Sequence, residues 1–132
     1  MRFKTPTDLL ANLRLAVVSA DELFASYESA IDSIDRYVLD GIPLGGNLRA
    51  IVSNDLRETI ATADDHRRLA LFPIVGYLYN DVPSSCWGSR EKHDAWMAME
   101  PATRRDLLAY SEFGRRRGLE PTHAEDPSHA TE

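Results

Sequence analysis

The stretch SADELFASYESAIDSIDRYVLDG, residues 19–41, carries the most complete helix signal in the chain. It begins with Ser19 and, three residues later, Glu22, a capping box in which each side chain satisfies a backbone N–H of the first turn. Its apolar residues recur by threes and fours, and Gly41 stands where a left-handed C-cap residue belongs. These apolar residues are Phe24, Tyr27, Ile31, Ile34 and Val38. The pattern predicts a long helix that packs one face against another helix.

Helices are also predicted on both sides of this stretch. Leu9, Leu13 and Val17 recur at helical spacing and predict a first helix over about 7–18. After the turn GIPLGGN, Asn47 can cap a third helix that runs to about Ala63. Its predicted buried stripe consists of Leu48, Ile51, Val52, Leu56 and Ile60.

Asp55 does not fit this third helix. At 100° per residue it points between Ile51 and Val52, near the middle of the apolar face. An unpaired carboxylate is costly in such a place unless polar groups accompany it. We therefore expect Asp55 to be buried and hydrogen-bonded.

A fourth helix is predicted from Asp64 or Asp65, either of which can be its N-cap, to about Tyr79. It is apolar nearly all round, as a central helix should be. Pro73 removes a backbone donor and should kink the helix, and a pair of strands across Pro73 is the alternative.

The segment NDVPSSCWGS, residues 80–89, is predicted to be a corner, followed by a short helix over about 89–99 and a last helix over about 101–118. The predicted fold is thus all-α, an irregular bundle of five to six helices. Residues 1–118 form its single domain. Residues 119–132 have too few apolar groups to pack and predict a disordered C-terminal tail.

Composition narrows the classes of function. The chain has 132 residues, 43% of them hydrophobic, a single cysteine and a formal net charge of −6. The negative charge argues against nucleic acid as a partner, because phosphate contacts need clustered Lys and Arg. The early residues lack the apolar run of a signal peptide or membrane span, and one cysteine makes no disulfide framework. We therefore expect a soluble cytoplasmic protein without a membrane partner.

The middle of the chain contains an unusual string of short motifs. They are Tyr37, Gly-x-Pro-x-Gly at 41–45, Leu-Arg-Ala at 48–50, Asn-Asp-Leu at 54–56, Ala-Asp at 63–64, Tyr-Asn at 79–80, Pro83 and Cys-Trp-Gly-Ser at 86–89. This string resembles a group of small proteins common in bacteriophages and prophages. The chain departs from it at Gly46-Asn47 and Asp65-His66. The resemblance implies a phage or prophage accessory protein, and it implies no particular activity.

Polar residues of this region form the predicted ligand site. If the third and fourth helices pack antiparallel, Asp55 faces the middle of the fourth helix and could accept from a tyrosine hydroxyl. The full set is Asn54, Asp55, Asp64, Tyr79, Asn80 and Trp87. Two interpretations stay open, a structural polar network at a corner between helices and a pocket for a small ligand. No cofactor is predicted.

The second helix supplies the predicted partner surface. Glu28, Asp32 and Asp35 make its outer face acidic, and such a face could meet a basic surface of a protein partner. A homodimer through the apolar stripe from Phe24 to Val38 is a further possibility. We expect function by binding rather than catalysis, and inhibition of a host system would be one form of it.

Three alternatives involve other chemistry. His66, His93-Asp94 and Asp106 follow the order of a metal-dependent HD-type phosphohydrolase, although exposed helical histidines explain the same residues. Cys86 could be a nucleophile, but a lone cysteine beside a tryptophan is more often a small buried hydrophobe. The arginines of residues 104–117 could contact nucleic acid, or their positive charges could stabilise a helix C-terminus. We therefore predict no metal site and no catalytic residue.

Overall fold

The computed structural model describes residues 2–121, and within that range it contains eight α-helices and no strand. The helices are α1 (Pro6–Leu13), α2 (Ala20–Asp40), α3 (Gly46–Val52), α4 (Leu56–Thr62), α5 (Asp65–Asp81), α6 (Arg90–Ala98), α7 (Pro101–Ala109) and α8 (Glu112–Arg116). Two short 3₁₀ turns, Leu15–Val17 and Ser84–Cys86, precede α2 and α6. The all-α prediction is confirmed, but the described chain has eight helices rather than five to six.

Helix α2 begins and ends where its sequence predicts. Ser19 Oγ accepts the N–H of Glu22 at 3.1 Å. Gly41 ends the helix in the left-handed region, with φ 66°, and its N–H donates to the Tyr37 carbonyl at 2.9 Å. The long helix is therefore capped at both ends by residues adjacent to it in sequence.

The apolar stripe of α2 builds the core. Ile34 and Val38 are fully buried, and α2 packs chiefly against α5 and then against α7. Phe24, at the start of the stripe, is 58% exposed. The stripe is thus mostly buried inside the chain, and a homodimer through its exposed end stays a prediction.

Helix α5 is the other half of this core. Its N-cap is Asp64, whose carboxylate accepts the N–H of Arg67 at 2.7 Å, which decides between the two predicted caps. The helix continues through Pro73, so the alternative of a strand pair is wrong. The residues it buries are Ala70, Ile74 and Leu78.

The predicted helix over 47–63 is broken between α3 and α4. Asn54 takes a left-handed conformation, with φ 58°, and ends α3. Asp55 is exposed rather than buried, and its carboxylate accepts the N–H of Glu58 at 3.1 Å. The expectation of a buried Asp55 is wrong because the residue is the N-cap of α4.

This break also turns part of the predicted stripe outward. Leu48, Ile51 and Val52 are buried as predicted, whereas Leu56 is 70% and Ile60 is 46% exposed. The break is tied to a distant segment, since the Gly88 N–H donates to the Val52 carbonyl at 2.8 Å.

The predicted last helix is also broken, between α7 and α8. Ser111 Oγ accepts the N–H of Gly114 and caps the new helix. A Cβ at Gly114 would lie 1.9 Å from the Leu108 carbonyl oxygen, so only glycine fits this turn. Beyond α8, Leu119 packs partly against the core. The rest of the predicted tail, 122–132, lies outside the described residues.

The N-terminal segment lies on this bundle without entering it. Helix α1 ends at Leu13, followed by the C-cap Arg14, which is left-handed with φ 55°, so the helix is shorter than the predicted 7–18. No residue of α1 is buried. Across residues 2–121, no helix combines the length and apolar character needed to cross a membrane.

Candidate functional site

The structure separates the predicted ligand residues. Asn54 and Asp55 lie between α3 and α4, and both line an open groove. Tyr79 and Asn80 do not line it. Both are exposed on α5, and the Asn80 side chain donates to the Gly76 carbonyl of its own helix at 2.8 Å. The predicted meeting of Asp55 with Tyr79 therefore does not occur.

The other two predicted ligand residues have structural positions. Asp64 uses its carboxylate as the N-cap of α5. Trp87 is half-buried and packs against the core after the second 3₁₀ turn. Close by, the Tyr37 hydroxyl donates to the Cys86 carbonyl at 2.8 Å, so the segment 80–89 is held as a corner of the fold.

The acidic face of α2 is only partly free. Glu28 and Asp32 are exposed. Asp35 is partly buried, accepts a hydrogen bond from the Tyr77 hydroxyl and pairs with Arg117 at 3.1 Å. Burial, and then the bond to Asp35, raise the pKa of Tyr77. Asp35 therefore joins α2, α5 and the end of α8 within the chain.

The residues of the alternative HD-type site are not brought together in the described chain. His66 contacts Glu22 at 3.1 Å, away from His93, whose ring stacks on Tyr37 with 5.5 Å between centroids. Among residues 2–121, no group of three or more His, Cys, Asp or Glu is placed to hold a metal ion. The histidine order in the sequence thus has no counterpart in space.

Cys86 is placed as a core residue. Its side chain is fully buried, and burial raises the pKa of the thiol to about 12. A thiol that stays protonated is a poor nucleophile. The arrangement fits the interpretation of Cys86 as a small hydrophobe.

Most of the C-terminal arginines have partners within the chain. Arg104 is 2% exposed and donates to the carbonyls of Trp96 and Met99 at 3.1 and 2.8 Å. Arg115 and Arg116 both pair with Glu112. These contacts give the arginines a structural role at helix ends.

One surface stands out for its apolar character. Phe72 is 89% exposed, Tyr79 is 79% exposed and Val75 is 37% exposed. At 100° per residue Phe72 and Tyr79 are only about 20° apart, and Val75 and Gly76 lie within about 60° of them. We call these four residues the outer face of α5.

The structure differs at this surface from what the apolar pattern of α5 predicts. A helix that is apolar all round is normally covered all round, which is why α5 was predicted to be central. The inner side of α5 is indeed buried, but within the described chain nothing covers the outer face. Gly76 lies on this uncovered face, where a Cβ would meet no atom within 4 Å.

The second surface feature is the groove between α3, α4 and α6. Its volume is about 680 Å³. His93 lines it and is 8% exposed, and its Nδ1 lies 2.9 Å from Asp94 Oδ1. The other lining residues are Gly46, Arg49, Ala50, Ser53, Asn54, Asp55, Leu56, Glu58 and Arg90. The sequence predicted only Asn54 and Asp55 of this set as ligand residues. Arg49 and Arg90 lie on separate helices, and no local pattern shows that these helices meet.

No protein-family model, curated protein or solved structure matches this chain. The resemblance of residues 37–89 to phage and prophage proteins therefore stays a prediction. Any functional proposal has to rest on the two surfaces themselves.

Proposed function

We propose that this protein acts by binding another protein, and that the outer face of α5 is the contact surface. The observation that carries the proposal is the exposure of Phe72 and Tyr79, at 89% and 79%, on a helix that is apolar on both sides. Two aromatic side chains of this exposure offer about 300 Å² of surface for burial. Exposed apolar patches of that size are often interaction sites.

Gly76 supports the same surface. A Cβ at this position would meet no atom within 4 Å, so packing inside the chain does not require glycine there. Glycine in a helix interior costs about 1 kcal/mol relative to alanine. A glycine between Phe72 and Tyr79 would let a partner helix approach closely between the two rings.

The partner we propose is therefore an apolar helix of a different protein. If the resemblance of residues 37–89 is correct, the binder is a phage or prophage accessory protein and the partner belongs to its host. Inhibition of a host system is one form that such binding would take. We place the contact on α5 rather than on the acidic face of α2, because Asp35 is already paired with Arg117.

Site-specific photocrosslinking tests the proposal. A photoreactive phenylalanine analogue replaces Phe72 in the full chain, which is expressed in the organism that carries the gene. The matched control places the same analogue at Phe24, an aromatic that is 58% exposed on α2. We expect one protein to crosslink at position 72 and not at position 24, and Gly76→Leu to abolish that crosslink.

Three outcomes would contradict the proposal. They are equal crosslinking from both positions, crosslinking from neither, and crosslinking from position 72 only to a second copy of this chain. Circular dichroism of the Gly76→Leu variant shows whether the fold is kept. A folded variant that still crosslinks would also count against the proposal.

A further inference from the structure

His93 has one polar atom that the fold leaves without a partner. The residue is more than nine-tenths buried, and its Nδ1 is 2.9 Å from Asp94 Oδ1. A carboxylate only accepts hydrogen bonds, so Nδ1 is the donor, and in the tautomer that carries its proton on Nδ1 the other nitrogen, Nε2, is an acceptor. No other described residue hydrogen-bonds Nε2. Since His93 lines the groove between α3, α4 and α6, we infer that its Nε2 atom faces the groove.

Two cations line the same groove without strong partners. Arg49 is exposed and has no ion pair within residues 2–121. Arg90 Nε lies 3.9 Å from Asp94 Oδ2, which is too long for a hydrogen bond. Guanidinium groups are suited to bidentate binding of a carboxylate.

The acidic residues that line the groove differ in whether their carboxylates already have partners in the chain. Asp55 caps α4, and Asp94 is held by His93 and faces Arg90. The Glu58 side chain has no hydrogen-bond partner within the described chain. Three carboxylates in one groove would repel a ligand with several negative charges. If the ligand also carries a positive group, the Glu58 carboxylate would balance that positive charge.

We propose that this groove binds a small zwitterion of the amino-acid type. Its carboxylate would pair with Arg49 and Arg90, and its ammonium group would donate to His93 Nε2 and to Glu58. Ala50 and the exposed Leu56 offer apolar wall for a side chain. The volume of about 680 Å³ lies within the usual range of ligand pockets and admits either a free amino acid or a short peptide.

Amide NMR of the full-length ¹⁵N-labelled protein tests this site. The probes are leucine, N-acetyl-leucine, which lacks the ammonium group, and leucine amide, which lacks the carboxylate. We expect leucine to shift the amides of residues 53–58 and 90–94, and each analogue to bind at least about tenfold more weakly. The imidazole ¹⁵N signal of His93 Nε2 should move with the same titration. A further titration with leucyl-leucine distinguishes a free amino acid from a peptide as the ligand. If leucine binds more tightly, the ligand is a free amino acid. If leucyl-leucine binds more tightly, the ligand is a peptide.

A pair of variants fixes the position of the site. Arg49→Gln should weaken leucine binding at least about tenfold. Arg57→Gln is the matched control, because Arg57 is an exposed arginine of α4 that does not line the groove. It should leave binding unchanged.

The proposal is overturned if leucine produces no shift up to about 10 mM. It is also overturned if N-acetyl-leucine or citrate binds as tightly as leucine, or if Arg49→Gln and Arg57→Gln behave alike. The Phe72→Ser variant alters the outer face of α5 and should keep leucine binding. Failure at the groove and failure at α5 are therefore distinguishable.

Discussion

Arg104 is a buried cation that contacts the C-terminal ends of two helices, α6 and α2. Its Nη2 atom donates to the carbonyls of Trp96 and Met99 at the end of α6. Its guanidinium also lies against Gly41, the residue that ends α2. Free carbonyls make a helix C-terminus electronegative, so one positive charge stabilises both ends.

Gly41→Ala should therefore destabilise the protein through two effects. Position 41 has φ 66°, and an added Cβ would meet the Arg104 guanidinium at 2.6–3.0 Å. The left-handed conformation alone costs about 1 kcal/mol for alanine, and displacing a buried arginine adds to it. We expect a loss of about 2–3 kcal/mol in the free energy of unfolding, measured by urea denaturation.

Gly118→Ala is the matched control for this prediction. Gly118 has φ 79°, but a Cβ there would meet nothing within 4 Å. This variant should lose only the conformational part, about 1 kcal/mol. Equal losses in the two variants would show that the contact with Arg104 contributes nothing.

Cys86 should resist alkylation in the folded protein. Burial raises the pKa of its thiol from 9.0 to about 12, so at pH 8 the thiolate fraction falls about 1000-fold. The side chain is also fully buried. We expect iodoacetamide labelling, followed by intact-mass spectrometry, to be at least about 1000-fold slower than in urea. Native labelling at the rate of the unfolded chain would show that the corner at 80–89 opens readily.

At the scale of elements, sequence predicted what is decided locally. The start and end of α2 follow from Ser19 and Gly41, which lie next to the helix they cap. The break at Asn54 was missed because the apolar spacing continues through Leu56 and Ile60, and spacing does not show which side of a helix is covered. The Gly88 N–H also donates to the Val52 carbonyl at the end of α3, a bond between segments 36 residues apart that no local pattern contains.

Helix α1 should contribute little to stability. None of its residues is buried, and the ion pair from Arg14 to Asp65, at 2.8 Å, joins side chains that are 54% and 33% exposed. Such pairs are worth about 0–1 kcal/mol. A chain that starts at Ser19 should therefore unfold within about 1 kcal/mol of the full chain in urea.

The opposite truncation is its control. A chain that stops before Ser111 loses Phe113, which is 2% exposed in the core, and Arg117, which pairs with Asp35. Removing a buried phenylalanine alone costs about 3–5 kcal/mol. If the N-terminal truncation costs as much as the C-terminal one, α1 is packed more firmly than its exposure indicates.

At the scale of the whole molecule, the candidate sites depend on contacts that no local pattern contains. Sequence reasoning selected Asn54, Asp55 and Tyr79, and the structure assigns the first two to the groove and the third to the outer face of α5. Arg49 and His93 line one groove although 44 residues separate them. Helical periodicity predicts which residues share a face of one helix, but the packing of α3 against α6 decides which faces meet.

Stability of the whole fold should fall in alkali. Tyr37, Tyr77 and Cys86 are three acids whose pKa values are raised, in each case chiefly by burial. In the unfolded chain the thiol loses its proton near pH 9 and the two phenols near pH 10. The folded chain keeps these protons to higher pH, so above pH 9 it binds more protons than the unfolded chain does. The free energy of unfolding must then decrease as pH rises, and more steeply once the tyrosines contribute.

Urea denaturation at pH 8, 9, 10 and 11 measures this dependence, and Tyr77→Phe tests its origin. The variant keeps the ring of Tyr77 but has no proton to release, so its stability should fall less steeply above pH 10 than that of the wild type. Tyr79→Phe, which removes an exposed hydroxyl, is the control and should follow the wild type. Because Tyr77 joins α5 to Asp35 and Arg117, a slope unchanged by Tyr77→Phe would mean that this contact between α2, α5 and α8 is open in solution.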